Sequence, residues 1–236
     1  MTSDMKFAII AAGEGSRLAK EGITESKPLI KLHGVPIIER LVRIFVENGA
    51  DSIGIIINEK QPDTLAKLTE LKESYPIEIV IKDTPSSMHS MYELKELLKG
   101  DKFCLTTVDT IFKEEEFTRY IEEFKNCDAD GIMAVTDYID DEKPLYVDTD
   151  DNMEITAFRD TPGKESVYIS GGIYGLTPRA LDILDECMKQ GVERMRNFQR
   201  KLIERGMRLK AYPFGKVIDI DHASDICKAE KFISEK

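Results

Sequence analysis

The stretch FAIIAAGEGSRLAKEGITESKPLIKL, residues 7–32, decides how the chain is read. Phe7 to Ala11 is an apolar run of strand length, and Gly13 and Gly15 break it abruptly. Glycine carries no side chain and tolerates positive φ, so such a turn can approach a phosphate closely. Its backbone N–H groups can then point at the anion. An ordinary strand-to-helix turn also uses glycines, so the rest of the chain has to choose between the two readings.

Downstream, strand-like runs and helical patterns alternate. KFAIIA, SIGIII, IEIVI, KFCLTTV and GIMAVT read as strands. Helical periodicity covers Ile37 to Glu47, Thr64 to Tyr75, Met88 to Leu98 and Glu114 to Lys125. This alternation predicts an α/β fold with a Rossmann-like, mostly parallel sheet and helices on both faces. After Thr136 the rhythm changes. PLYVDTDDNMEITAF reads as a hairpin with an acidic turn at Asp148 to Asn152, and VYISGGIYGL as a strand interrupted by two glycines. A helix then follows Pro178. Further helical patterns, the strand pair RLKAY and KVIDI, and a last helix from about Ala223 close the chain. The expected organisation is one domain: an α/β core over 1–136, and a small β-rich lobe with closing helices over 137–236.

The 236 residues are 42% hydrophobic and 33% charged, which suits a globular chain with a real core. A net charge of -11 argues against coating nucleic acid, though not against binding one nucleotide in a local basic pocket. No apolar stretch approaches the ~20 residues of a membrane helix. MTSDMKFAII lacks the long apolar region of a signal peptide, so a cytoplasmic location is expected. Cys104, Cys127, Cys187 and Cys227 are scattered and read as free thiols. Open α/β sheets bind ligands beyond the carboxyl ends of their strands, which singles out Gly13 to Arg17, TPSSMHS, Asp109, Asp219 and Asp221.

AAGEGSRL followed by SKPLIKLHGVPIIERLV resembles the start of a nucleotidyltransferase of the nucleoside-diphosphate-sugar pyrophosphorylase or MobA-like type. That family has a G-x-G-x-R loop and a Lys-Pro-Leu segment before its first long helix. SSMHSM, TTVDTIF, SGGIYGL and VIDIDHASDICKAEKFI are similar to its later motifs, in the same order, so the resemblance spans nearly the whole chain. It implies a GT-A-like nucleotidyltransferase fold. It also implies transfer of a nucleoside monophosphate from a nucleoside triphosphate to a phosphorylated sugar or small alcohol, with release of pyrophosphate. Such chemistry is alignment plus neutralisation of charge, without a covalent enzyme intermediate.

On that resemblance Arg17 and Lys27 are the catalytic cations; a surface helix-start arginine and a solvated lysine are the alternatives. Nucleotide contacts fall to Ala11, Ala12, Gly13, Gly15 and Ser16, and to Ser87 and His89. Mg²⁺ is the expected cofactor, because it favours a few carboxylates plus phosphate oxygens. Its candidate ligands are Asp109, Asp219 and Asp221, although Asp109 also suits a helix N-cap and Asp221 a turn. His33 is expected in a turn and His222 at the start of the last helix, and Asp148 to Asp150 reads as a turn despite its D-x-D pattern.

The acceptor site is where the chain departs from the family. Many sugar-specific members carry Glu-Lys-Pro on the strand that meets the sugar phosphate, and here the stretch is FRDTP. Asp160 replaces Glu and Thr161 replaces the phosphate-contacting Lys. Arg159 is adjacent, but strand alternation points it away. Asp160, Gly171 and Gly172 are the acceptor-site candidates. A phosphocholine-type cytidylyltransferase, a molybdopterin-like acceptor, a glycosyltransferase and a non-catalytic nucleotide-binding domain are the rival readings.

Overall fold

The computed structural model describes residues 5–140, 142–164 and 166–235. The first four residues of the leader reading therefore lie outside it. In chain order the elements begin with β1 (Met5–Ile10), α1 (Ser16–Lys20), β2 (Lys31–Leu32), β3 (Val35–Pro36), α2 (Ile37–Glu47) and β4 (Ala50–Ile57). They continue with α3 (Pro62–Lys72), β5 (Ile77–Ile81), α4 (Ser87–Leu98), β6 (Phe103–Thr107), β7 (Thr110–Ile111) and α5 (Glu114–Asn126). The second half holds β8 (Gly131–Thr136), β9 (Tyr146–Thr149), β10 (Ile155–Arg159), β11 (Tyr168–Leu176), α6 (Arg179–Lys189) and α7 (Met195–Glu204). β12 (Leu209–Phe214), β13 (Ile218–Asp219) and α8 (Ala223–Ser234) complete it.

The expected α/β architecture is present. Among the described residues, nine strands form one mixed sheet, with the order β10-β9-β11-β6-β1-β4-β5 and with β8 and β12 joined through β11. β1 lies between β4 and β6 and is parallel to both. Its side chains alternate strictly. Phe7 and Ile9 enter one core with α2, α5 and α8, while Ala8 and Ile10 enter the other with α4, α6 and α7. Burial on both faces is why the run reads as continuously apolar. Phe7, Phe45, Phe117 and Phe112 form a connected aromatic row, with centroids 4.7 Å apart for Phe7–Phe45 and 4.9 Å for Phe112–Phe117.

β9 and β10 form the expected antiparallel hairpin, and it continues the same sheet through β11. Its turn sits slightly later than the acidic run suggests: Asp150 Oδ1 accepts from the N–H groups of Asn152 and Glu154, whereas Asp148 is a strand residue. α3 begins two residues before the periodicity does, because Pro62 occupies its first turn, where no N–H is required. The strand pair near the C-terminus is corrected. β12 pairs in parallel with β8, and β13 pairs with β7, so the two strands do not pair with each other. That pairing carries the C-terminal acidic residues to the end of β6.

Close packing leaves no slack where β11 crosses α5. A methyl group on Gly175 would lie 2.8 Å from Tyr120 Oη and 2.9 Å from the Phe124 ring. Gly175→Ala is therefore expected to destabilise the fold by about 1–3 kcal/mol through overpacking. Urea unfolding monitored by circular dichroism checks this, and an unchanged midpoint contradicts it.

Candidate active site

Four segments meet at the carboxyl edge of the parallel strands. The glycine loop leaves β1, the segment Thr84 to Ser87 leads into α4, Asp109 follows β6, and β13 runs past it. A cleft of about 470 Å³ opens between the first three, walled by Ala12, Gly13, Gly15, Lys27, Ser87 and Asp109 among others. Gly15 has φ +60°, and it starts α1. Its Cα faces Lys27, since a Cβ there would sit 3.5 Å from Lys27 Cβ. α4 begins at the cleft wall, so the positive end of its dipole faces this space.

Lys27 joins these segments electrostatically. Its Nζ donates to Asp109 Oδ2 at 2.6 Å and to Asp221 Oδ1 at 2.9 Å. Arg17 donates to the other oxygen, Asp221 Oδ2, at 3.0 Å. The Lys27 side chain is only 11% exposed. Burial works against its charge, but Asp109 and then Asp221 more than offset that, and its pKa is raised above the ordinary value. Asp219 pairs with Thr110 across β13 and β7, and the N–H of Ile220 donates to the Asp109 carbonyl at 3.1 Å. Asp109 and Asp219 thus stand on neighbouring backbones, Asp109 in the cleft wall and Asp219 in the recesses beside it.

The sequence candidates separate into groups. Ala12, Gly13, Gly15, Ser87, Lys27 and Asp109 line the cleft. Ala11 does not: it is 1% exposed, and its N–H is committed to the Ile56 carbonyl. Ser16 and His89 also lie off the cleft wall, although the Nδ1 of His89 is hydrogen-bonded at 2.9 Å to Ser86 Oγ, which lines it. Arg17 lines a second recess with Gly171, Asp219 and Asp221. Gly172 lines a third with Asp219, Ser87 and Thr107. Gly172 has φ +71°, and a Cβ there would sit 3.0 Å from Thr110 Oγ1, so glycine is required.

Both carboxylate oxygens of Asp221 are in ion pairs with the cations. His222 precedes α8 as expected, and its Nδ1 meets Glu21 Oε1 at 2.6 Å. His33 lies in its turn with φ +48°.

Asp160 lies apart from the other acceptor candidates. Its carboxylate is held by Arg196 at 2.6 Å and Arg200 at 2.8 Å, on an outer hollow beside Gly172's recess rather than in it. Arg159 turns the other way to Asp148, as strand alternation requires. Two residues outside the sequence candidates brace the glycine loop. Asn58 Nδ2 donates to the Ala12 carbonyl at 3.0 Å and Gln61 Nε2 to the Gly13 carbonyl at 3.3 Å, so both fix the glycine loop. A buried Asn ending an apolar strand was the available signal. Arg194 and Arg196, at the start of α7, line Gly172's recess, and no sequence motif singles them out.

The family model described as "Nucleotidyl transferase" matches residues 6–236. The chain belongs to the nucleotidyl transferase family. It is 27% identical over 244 residues to the bifunctional protein GlmU of Methanococcus maripaludis, covering 98% of this chain and 55% of that protein. It is 24% identical over 186 residues to the low-salt glycan biosynthesis nucleotidyltransferase Agl11 of Haloferax volcanii, covering 77% of this chain and 52% of that protein. The chain thus spans about half the length of these curated relatives. The inositol-1-phosphate CTP transferase of T. maritima superposes with a TM-score of 0.81 at 18% identity, over 100% of this chain and 98% of that one, and so shares the fold.

The carboxyl of Asp160 is held below its usual range by hydrogen bonds from Arg200 and then Arg196. A lowered pKa means that the stability it lends is present above the unfolded value and is lost as pH falls through the lowered one. Carbon-13 titration of the carboxyl should give a midpoint below 3.8, and Arg200→Ala should raise it. A midpoint at or above 3.8 contradicts the pairing.

Proposed function

We propose that this nucleotidyl transferase family member moves a nucleoside monophosphate from a nucleoside triphosphate to a phosphorylated sugar or small phosphoalcohol, releasing pyrophosphate. The observation that carries this is the Lys27 ammonium, buried at the mouth of the glycine-loop cleft between Asp109 and Asp221. A cation at that place in an acidic chain is placed to meet phosphate. The triphosphate lies along the backbone of Ala12, Gly13 and Gly15, with the start of α4 opposite. An oxygen of the acceptor phosphate attacks the α-phosphorus. One P–O bond forms as the bond to the α–β bridging oxygen breaks, and pyrophosphate leaves with the electron pair.

Negative charge gathers on the α-phosphoryl oxygens during this exchange. Lys27 supplies a compact charge to them, and Arg17 supplies a planar fork from the neighbouring recess. Asp221 holds both cations in place before substrate arrives. Asp109 and Asp219 would hold Mg²⁺, since adjacent backbones carry one carboxylate in the cleft wall and one in the recesses beside it, and phosphate oxygens would complete the set. Among the described residues no three His, Cys, Asp or Glu are grouped to hold an ion alone, which suits a metal that arrives with its nucleotide. When bound there, the ion would supply Lewis-acid charge to the phosphates.

In this reading residues 1–136 hold the nucleotide and 137–236 the acceptor. The enzyme would work in the cytoplasm, where its triphosphate is made. Among the described residues no helix is long and apolar enough to cross a membrane.

Pyrophosphate release with Mg²⁺, across four nucleoside triphosphates and a panel of sugar 1-phosphates and phosphoalcohols, tests the proposal. Turnover with one pair is expected, with a loss of about 100-fold or more in Lys27→Ala. Nucleotide binding without pyrophosphate release for any pair would point to the non-catalytic alternative.

A further inference from the structure

Arg40 lies on α2, a helix whose other buried residues are all apolar. It is 9% exposed, and burial pushes the pKa of its guanidinium down while Glu114 pulls it back. An apolar side chain of similar volume would cover this face at less cost, so the cation needs a reason beyond packing. Its Nη2 atom makes both polar contacts. It donates to the Phe112 carbonyl at 2.8 Å and lies 3.3 Å from Glu114 Oε1, in the first turn of α5. Nη1 is buried with no hydrogen-bond partner among the described residues, and the guanidinium carbon lies 5.8 Å from the centre of the Phe112 ring.

Phe112 is the residue that follows β7, and Asp109 is the residue that precedes it. The Phe112 ring stacks on Phe117 at 4.9 Å and meets the edge of Phe214 at 6.2 Å. The segment from Asp109 to Phe112 is thus held at three points. The N–H of Ile220 donates to its first carbonyl, β13 pairs with its middle, and Arg40 takes its last carbonyl. In that ladder Thr110 faces Asp219 and Ile111 faces Ile218. Two residues define a register weakly, and any slip moves Asp109 against Asp219.

We propose that Arg40 is a positioning residue for nucleotidyl transfer: through the Phe112 carbonyl it fixes β7 against β13, and so sets Asp109 and Asp219 at one spacing for a divalent cation. Arg40 lines none of the three recesses around these carboxylates, so it acts through the chain and not on the ligand. The inference rests on the metal reading above, in which Asp109 and Asp219 are the ligands.

The test uses Mn²⁺ with tripolyphosphate, a probe of the metal and phosphate sites that carries neither base nor acceptor. Its binding to the full chain is read by water-proton relaxation in the wild type, Arg40→Met, Arg40→Lys and Asp109→Asn. Arg40→Met removes the donor and keeps an apolar chain, and it should weaken the probe about tenfold. Arg40→Lys should lose about threefold, since one nitrogen already makes both polar contacts, and it stands in if Arg40→Met does not fold. Tripolyphosphate without metal should bind every Arg40 variant as it binds the wild type, because Lys27, Arg17 and the glycine loop are untouched. Amide hydrogen exchange adds a metal-free reading: the Ile220 amide should exchange about tenfold faster in Arg40→Met while those of β1 hold. A merely structural role would quicken both together and leave the probe's affinity unchanged. The inference is overturned if a folded Arg40 variant binds the probe as the wild type does, or if Ile220 and β1 quicken equally. Loss of binding in Asp109→Asn with none in Arg40→Met removes Arg40 alone and leaves the metal reading standing. Undiminished binding in Asp109→Asn removes the metal reading and this inference with it.

Discussion

The Lys27 ammonium, held between two carboxylates, is the interaction around which the functional edge of this molecule is organised. A buried cation is costly unless it is paired, and here its partners come from distant parts of the chain. Asp109 ends the strand beside β1, and Asp221 enters the last helix, 194 residues away from Lys27 in sequence. Closing this contact fixes the glycine loop against the end of β6 and draws the C-terminal segment over both. The pair of two-residue strands, β7 and β13, performs the same closure through backbone hydrogen bonds. Charge and backbone pairing therefore converge on one small region, where two cations are held by carboxylates at the edge of the sheet.

The sheet explains why that region is open to a ligand. β1, β4, β5 and β6 point their carboxyl ends the same way, and the loops beyond them cannot be covered by the helices that bury the two faces. β11 then crosses antiparallel beside β6 and carries Gly171 and Gly172 past the same edge. These glycines divide the space beyond Asp219 into two recesses, one facing Arg17 and the other facing the start of α7. A single strand irregularity thus separates Arg17 from the basic start of α7.

What the sequence disclosed follows physical locality. β1, α2, β5 and β8 were legible nearly to the residue, because apolar runs and 3.6-residue periodicity are written in neighbouring positions. The glycine loop, Lys27, Asp109 and Asp219 were legible because strand ends and loop chemistry place them at one edge. β13 and β7 were not legible as partners, since two residues carry no periodicity and their pairing spans more than a hundred positions. Asp221 looked like one more carboxylate until its two ion pairs were seen. Asp160 invited a ligand role from its motif position, yet its charge is spent on Arg196 and Arg200, which lie 36 or more residues away. Asn58 and Gln61 act on carbonyls of a loop 46 to 48 residues distant, a relation that no local pattern encodes.

The central claim is that Lys27 is a phosphate-stabilising cation which Asp109 and Asp221 hold ready. The most direct measurement is a crystal structure of the full chain with Mg²⁺ and a non-hydrolysable nucleoside triphosphate. The account predicts that Lys27 Nζ contacts an oxygen of the α-phosphate, that Asp221 keeps its hold on Lys27, and that Asp109 turns to the metal. Lys27 still closed on Asp109, with the phosphates bound elsewhere along the chain, would contradict it.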